Sequence, residues 1–136
     1  MSLRRLTNVK KIVFASGGCN GAAYVGCLDA IERIIESNYG PSAVTDFYDR
    51  LEECAGTSAG AFMAFAVCGG WRAKQLRRLL ESLDVSILSA RMDPSRLLNE
   101  CGLHDGSGPL RMMLQALLHM ARLSPYTTFA EFHRHC

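Results

Sequence analysis

The stretch from Cys54 to Met63 constrains the fold of this chain more than any other. It begins as a short strand-like segment, continues with Gly-Thr-Ser-Ala-Gly at residues 56–60 and leads into an apolar helix. This is the G-x-S-x-G pattern of a nucleophile elbow, in which Ser58 occupies a sharp, strained turn between strand and helix. Glycines flank the serine because side chains there would collide with the turn or with the packed strand and helix. Alone, the pattern also fits an ordinary tight strand-to-helix turn.

Composition indicates one globular domain. The chain has 136 residues, of which 49% are hydrophobic and 21% are charged, and this balance is not that of a disordered protein. Because the net charge is only +2, we expect no nucleic-acid partner. Two basic clusters, between Arg4 and Lys11 and between Arg72 and Arg78, fit either an acidic membrane surface or a solvated face.

The six cysteines could suggest a disulfide framework, but four of them lie in apolar or glycine-rich segments, where free cysteine behaves as a small hydrophobe: Cys19, Cys27, Cys54 and Cys68. No apolar h-region follows the basic N-terminus, so we expect a cytoplasmic protein, peripheral to membranes if it meets them at all. The closing run His-Arg-His-Cys at residues 133–136 has no second ligand cluster at finger spacing. We therefore expect no metal.

A strand, a glycine-rich turn and a helix open the chain. Lys11–Ala15 is a short apolar run that predicts a buried parallel strand. The turn at residues 16–21 follows it, and then an amphipathic helix over about residues 22–36, ended by Asn38, Gly40 and Pro41.

This opening could also suggest a nucleotide site. A Walker A loop needs a lysine, but Gly26 is followed by Cys27 and Leu28. A dinucleotide fingerprint needs a glycine where this chain has Ser16. We therefore expect no cofactor. The turn does supply backbone N–H groups aimed at one point, and such a nest holds an oxyanion as well as a phosphate.

The middle of the chain leads into and out of the elbow. We predict a loop around Ser42–Asp46, and the segment Phe47–Ala55 then runs into the serine turn, with Glu52 and Glu53 as an unusual polar interruption. The helix after Ser58 is apolar nearly all round, so its methionine and phenylalanines should be core packing.

From Trp71 onward the sequence predicts amphipathic helices. One begins at Asp93-Pro94, and a capping box from Thr128 to Glu131 opens the last. Two apolar stripes have helical spacing: Leu76, Leu79, Leu80 and Leu83, and then Leu110, Met113, Leu114, Leu117 and Ala121.

Together, the glycine turn and the serine motif resemble the patatin-like phospholipase family. The resemblance is carried by residues 16–28, Ser-Gly-Gly-Cys-Asn-Gly-Ala-Ala-Tyr-Val-Gly-Cys-Leu, and by residues 56–61, Gly-Thr-Ser-Ala-Gly-Ala. Weaker similarity continues through residues 102–106 and 128–132, so the resemblance spans nearly the whole chain. The paired motifs at this spacing are far more specific than either motif alone.

What the resemblance implies is a three-layer α/β/α fold that hydrolyses lipid or phospholipid acyl esters with a serine–aspartate dyad. Ser58 would be the nucleophile, and Gly56 and Gly60 would support the elbow. The tetrahedral oxyanion would be held by backbone N–H groups of the first turn: Gly17, Gly18 and Cys19.

The chain departs from the family pattern at three places. Ser16 stands where a glycine is usual, and Asn20 stands where many members carry Arg or Lys. The family's catalytic aspartate lies in an Asp-Gly-Gly or Asp-Gly-Ala motif beyond further strands, and this chain ends at Cys136 before such a motif. We therefore expect residues 1–136 to form a single incomplete domain, truncated after its first strands and helices, with a helical region at 71–136.

Asp105 and the histidines could be considered as substitutes for that aspartate. Asp105-Gly106 is followed by Ser107 and matches a family segment that opens a helix, so we interpret Asp105 as a loop or capping residue. No histidine stands in a recognisable loop after a strand, as a triad would require: His104, His119, His133 and His135.

Two hypotheses follow. The chain is a lipid acyl hydrolase domain that is inactive or weak alone, because the base that activates Ser58 lies outside it. Alternatively, it is a catalytically silent form that holds lipid, or pairs with another chain through the open edge of a short sheet.

Overall fold

The computed structural model describes residues 8–82 and 107–135. The first range contains β1 (Lys11–Phe14), a 3₁₀ helix (Gly18–Ala22), α1 (Ala23–Tyr39), α2 (Ser42–Asp49), β2 (Glu53–Gly56), α3 (Ala59–Cys68) and α4 (Ala73–Ser82). The second range contains α5 (Ser107–Met120) and α6 (Phe129–His135). Helices combined with parallel strands agree with the predicted α/β class.

The strands β1 and β2 are parallel neighbours, with Lys11 opposite Glu53 and Phe14 opposite Gly56. A parallel pair needs a crossover connection, and α1 and α2 provide it. The polar interruption before the elbow is explained by this register. Glu52 and Glu53 pair with Lys10 and Lys11 at the exposed start of the two strands.

The two faces of this sheet differ in burial. Phe14 is buried in the core, whereas its neighbour Val13 is 75% exposed. Successive side chains of a strand point to opposite faces, so within the described ranges one face packs on helices and the other is uncovered.

Aromatic side chains tie the late helices to α3. Trp71 is the largest fully buried side chain, and its ring centroid lies 6.1 Å from that of Phe65. Phe132 of α6 stacks on Phe65, with the two ring centroids 4.1 Å apart and the rings nearly parallel. These contacts dock α6 on α3.

Several sequence predictions require correction. Ser42–Asp49 is helical rather than a loop, because Phe47 and Tyr48 both bury against the core and Pro41 already has helical backbone angles. The first helix continues to Tyr39, where Gly40 ends it with φ of +87°.

The expectation for the cysteines was also partly wrong. Cys27 and Cys68 are exposed rather than packed as small hydrophobes, Cys54 is half-buried, and all three are free thiols.

The predicted capping box is confirmed. Thr128 donates to the Glu131 carboxylate from its N–H and from its hydroxyl, at 2.8 and 2.9 Å, and the Glu131 N–H donates back to Thr128 Oγ1 at 3.3 Å. The apolar stripe predicted along the preceding helix, α5, is only partly buried, since Leu117 is buried but Leu110 is 47% exposed. Leu83 and the helix predicted at Asp93 lie outside the described residues.

Glu32 joins three helices through one oxygen. Its Oε1 accepts hydrogen bonds from the Tyr48 hydroxyl at 2.7 Å and from the N–H of Ala73, at the start of α4, at 3.0 Å. The Arg72 guanidinium lies 3.7 Å from the centre of the Tyr48 ring. Burial and the bond to Glu32 raise the pKa of Tyr48 well above its usual value, so its hydroxyl stays a donor.

Replacing Glu32 tests this junction. The substitution Glu32→Ala leaves the Tyr48 hydroxyl and the Ala73 N–H without their acceptor, and we expect the free energy of unfolding to fall by about 2 kcal/mol. Glu36→Ala, one turn along the same helix and exposed, should change it by less than about 0.5 kcal/mol. Urea unfolding followed by circular dichroism measures the free energy of unfolding of both variants. Equal losses of stability in Glu32→Ala and Glu36→Ala would contradict the role given to Glu32.

Candidate active site

Ser58 sits in strained backbone between β2 and α3. Its φ of +56° and ψ of −125° lie in a region that non-glycine residues rarely adopt, at a cost of order 1–3 kcal/mol. The turn is held on both sides: the Thr57 N–H donates to the Phe14 carbonyl at 3.1 Å, and the Ala61 N–H donates to the Ser58 carbonyl at 2.9 Å. The fold therefore enforces the geometry of Ser58.

The glycines on either side allow this close packing. A Cβ at Gly60 would overlap the carbonyl oxygens of Phe14 and Ala15 on β1, the latter at 2.6 Å. A Cβ at Gly56 would overlap the backbone of Gly60. The start of α3 thus lies directly on the end of β1, with no room for a side chain.

The first glycine turn folds into a tight 3₁₀ helix. Gly18 has φ of +49°, and the Asn20 N–H donates to the Gly17 carbonyl at 2.9 Å. The N–H groups of Gly18 and Cys19 precede the first hydrogen bond of this helix, and they donate to no other backbone group of the described residues. They are available to a ligand.

This turn packs on the elbow. A Cβ at Gly21 would come within 2.7 Å of the Ala59 Cβ. The methyl group of Ala59, the residue after Ser58, therefore occupies the space that a side chain at position 21 would need. The Tyr24 hydroxyl donates to the Ala15 carbonyl at 2.9 Å and fixes the helix behind the turn to the end of β1. The structure therefore brings the two glycine motifs together.

A cavity of about 430 Å³ opens beside Ser58, a volume in the range of ligand pockets. Gly18 and Gly21 line it on one side with Ser58 and Ala59. The remaining wall is apolar and comes from the 3₁₀ helix and four α-helices. Its residues are Ala22 of the 3₁₀ helix, Val25 of α1, Phe62, Met63 and Ala66 of α3, Leu76, Leu79 and Leu80 of α4, and Met113 and Leu117 of α5.

The electrostatics of the cavity are those of an apolar slot. No charged side chain of the described residues lines it, and within residues 8–82 and 107–135 no side chain hydrogen-bonds to the Ser58 hydroxyl. Burial, with a smaller effect from Cys68, raises the pKa of the nearby Cys54 to about 12. This thiol is therefore neutral at pH 7 and is no rival nucleophile.

Among the residues that the structure describes, none of the candidate bases from the sequence lies at this site. His119 lies exposed on α5, and His133 and His135 lie exposed on α6; none lines the cavity. His104 and Asp105 lie outside the described residues. The described part of the chain supplies Ser58 with no general base.

The cavity could not be predicted from the sequence. Phe62 and Met63 pack in or against the core, as predicted, and they also line the cavity. Three residues of the predicted apolar stripes line it too: Leu76, Leu79 and Met113. In the sequence, an apolar stripe that packs against a neighbouring helix has the same pattern as one that lines a cavity. Only the distance between the packed helices distinguishes these two cases. Ser58 itself was found from its flanking glycines.

The comparison with known families supplies the identification. The model of the patatin-like phospholipase family matches residues 12–133. The chain belongs to this family. The match includes both glycine motifs and ends within α6. The family's lipid acyl hydrolases are therefore the comparison by which Ser58 is interpreted.

The family match stands without further support from individual relatives. Neither the comparison with curated proteins nor that with solved structures finds a match. Among the described residues no helix is long and apolar enough to cross a membrane. The same residues contain no group of three or more His, Cys, Asp or Glu side chains that could hold a metal ion.

Alanine substitution of Gly60 tests the contact that creates the elbow. Gly60→Ala must push α3 away from the β1 carbonyls, and we expect it to lower the free energy of unfolding by at least about 3 kcal/mol. The matched change Gly26→Ala lies in α1 with open space around it and should stabilise the chain by about 0.5–1 kcal/mol. Thermal unfolding of both variants gives the comparison; a stable Gly60→Ala chain would contradict the packing described.

Proposed function

We propose that the chain is a lipid acyl hydrolase domain in which Ser58 is the nucleophile. The observation that carries the proposal is the position of Ser58. A strained serine, held by two glycines, stands beside a glycine turn at an apolar cavity. Membership of the patatin-like phospholipase family supports a lipid ester as the substrate class.

In this proposal the Ser58 oxygen attacks the ester carbonyl carbon of a lipid. The hydroxyl proton passes to a base, the carbonyl oxygen becomes an oxyanion, and collapse of the intermediate releases the alcohol and leaves an acyl-serine ester. Water then attacks this ester, which frees the fatty acid and restores the serine. The N–H groups of Gly18 and Cys19, with Gly17 shaping their turn, would stabilise the oxyanion, and loss of one such donor typically costs about 2.7–4 kcal/mol of barrier.

The cavity would receive the acyl chain. Its wall is apolar along α3, α4 and α5, and Ala66 leaves space deep in it because its side chain is only a methyl group. Burial of each methylene contributes about 0.8 kcal/mol, so a long chain would bind well without any polar contact.

The base is the missing component. The proposed dyad aspartate has to come from outside residues 8–82 and 107–135, and the chain alone should hydrolyse esters weakly or not at all, since removal of a general base typically costs about 10²–10⁴ in rate. The uncovered sheet face around Val13 supports the further proposal that the full fold has three layers and that this domain is incomplete. We also propose a cytoplasmic location, with peripheral contact to membranes.

A fluorophosphonate probe tests the nucleophile. The unaltered chain should be labelled at Ser58, slowly because the base is missing, as located by mass spectrometry of the digested protein, and Ser58→Ala should abolish labelling. Ser42→Ala, an exposed serine at the start of α2, should leave it unchanged. Labelling that persists in Ser58→Ala would reject Ser58 as the nucleophile.

Filling the cavity tests the acyl site. Ala66→Leu should slow labelling by a decyl phosphonate relative to an ethyl phosphonate by about tenfold, because roughly two methylenes lose their place. The volume-conserving change Leu79→Met should leave this ratio within about twofold. The ratio of labelling rates is the measurement, with thermal unfolding as a check on folding. An unchanged ratio in Ala66→Leu would place the acyl chain elsewhere.

A second candidate function is a catalytically silent module that holds lipid or pairs with another chain. The observation that favours it is the lack of any acid or histidine beside Ser58 in the described residues. Such a module should bind a fluorescent fatty acid in the cavity, with Ser58→Ala unaltered in affinity, and the unaltered chain should show no labelling by the fluorophosphonate.

A further inference from the structure

A second concave surface lies on the other side of α5. It is an open groove of about 420 Å³ between α5, the loop at residues 121–128 and α6. Phe65, Leu118 and Phe132 form its floor, and it shares no lining residue with the Ser58 cavity. Because Phe132 stacks on Phe65, the floor is firmly packed.

Two exposed aromatic side chains mark the rim of this groove: Phe129, which lines it, and Tyr126, which lies between the lining residues Pro125 and Thr127. Tyr126, in the loop, and Phe129, the first residue of α6, are each 87% exposed, and Leu110 of α5 is 47% exposed. The capping box between Thr128 and Glu131 fixes the start of α6, so Phe129 is presented by ordered backbone. A phenylalanine left in water forgoes the stabilisation that its burial would give.

The same segment carries a net positive charge. Residues 107–135 contain three arginines and one glutamate, so they carry the whole formal charge of +2, while the twelve basic and twelve acidic residues elsewhere cancel. Arg111, Arg122 and Arg134 are all exposed, and Arg111 lines the groove beside Phe129. The one glutamate, Glu131, is already engaged by Thr128.

Arg122 occupies a position that arginine does not favour. It ends α5 in the left-handed region, with φ of +58°, where glycine or asparagine is the usual residue. Its N–H donates to the His119 carbonyl, and the next N–H, of Leu123, donates to the Leu118 carbonyl, both at 2.9 Å. Within residues 8–82 and 107–135 the Arg122 side chain makes no hydrogen bond or ion pair, and the turn itself does not require an arginine.

We propose that the rim of this groove is a docking surface for anionic phospholipid membranes. Tyr126 and Phe129 would enter the interfacial region, and Arg111 and Arg122 would lie among the negative head groups. Exposed aromatic side chains together with exposed arginines on the same segment fit a lipid surface better than a peptide, which would need its own side chains to fill the groove. Since α5 lines both the groove and the Ser58 cavity, docking would bring the cavity within about 10 Å of the membrane, the diameter of one helix.

Vesicle flotation tests this surface independently of the proposed hydrolysis. The 136-residue chain is used in its Ser58→Ala form, so that no lipid is turned over whether or not Ser58 is a nucleophile. It should float with vesicles of 30% phosphatidylserine in phosphatidylcholine and bind pure phosphatidylcholine at least tenfold more weakly. Binding should also weaken when salt rises from 0.05 to 0.5 M.

Three variants separate the contributions of the rim. The double change Tyr126→Ser with Phe129→Ser should lower the partition coefficient at least tenfold. Arg122→Gly should lower it about fivefold, the effect of about 1 kcal/mol per basic residue near an anionic surface. The same glycine should hold or raise the melting temperature, because it relieves the left-handed turn. A loss of binding with a gain in stability cannot come from misfolding.

Matched controls lie on other helices. Tyr39→Ser, at the end of α1, and Lys74→Gln, on α4, remove an exposed aromatic and an exposed cation, and each should leave binding within about twofold. Equal binding to anionic and neutral vesicles, or equal losses in rim and control variants, would overturn the proposal. So would a dimer in gel filtration that only the rim variants dissociate, because the groove would then belong to a second copy.

Discussion

The contact of Gly60 with the end of β1 is the constraint on which the rest of this structure depends. The carbonyl oxygens of Phe14 and Ala15 occupy the space that any Cβ at Gly60 would need. Helix α3 therefore starts directly against the strand, and the chain entering it has to turn so sharply that Ser58 takes a positive φ. Packing stabilises what the local backbone disfavours, and such strain persists only where the surroundings over-determine it.

The same contact positions the glycine turn that follows β1. Because α3 lies close to β1, the turn that follows β1 meets the first residue of α3, and Ala59 fills the space beside Gly21. Two motifs separated by some 40 residues thereby face one cavity. In the proposed reaction this arrangement places donors and nucleophile without any movement of the backbone, which is how preorganised sites stabilise charge.

The helices contribute on two sides. On one side α4 and α5 close an apolar slot against Ser58, and on the other α5 and α6 frame the groove whose rim carries Tyr126 and Phe129. Helix α5 is thus shared by both surfaces, and the half-internal stripe of apolar residues along it, buried at Leu117 and exposed at Leu110, reflects this. A proposed acyl-chain site and a proposed lipid-docking rim on two sides of one helix would serve a single physical role.

Local rules were enough for the features that depend on nearest neighbours. The strand at Lys11, the elbow around Ser58 and the capping box at Thr128 are set by residues within a few positions, and glycine spacing alone revealed the serine. Where tertiary contacts compete with local preference, prediction failed. Ser42–Asp49 is a helix because Phe47 and Tyr48 become buried in the core. The residues that bury them lie on other elements, and the local sequence does not reveal those contacts.

By itself, then, the sequence determined the family, the α/β class and the serine to be examined, because these follow from glycines and apolar periodicity along the chain. Only the tertiary structure decided that Gly21 meets Ala59, that the apolar stripes enclose a cavity beside Ser58, and that Tyr126 and Phe129 stand in solvent. The reason is physical: a side chain's type fixes what it can contact, but the distance between packed elements fixes whether it contacts a neighbour, a ligand or water.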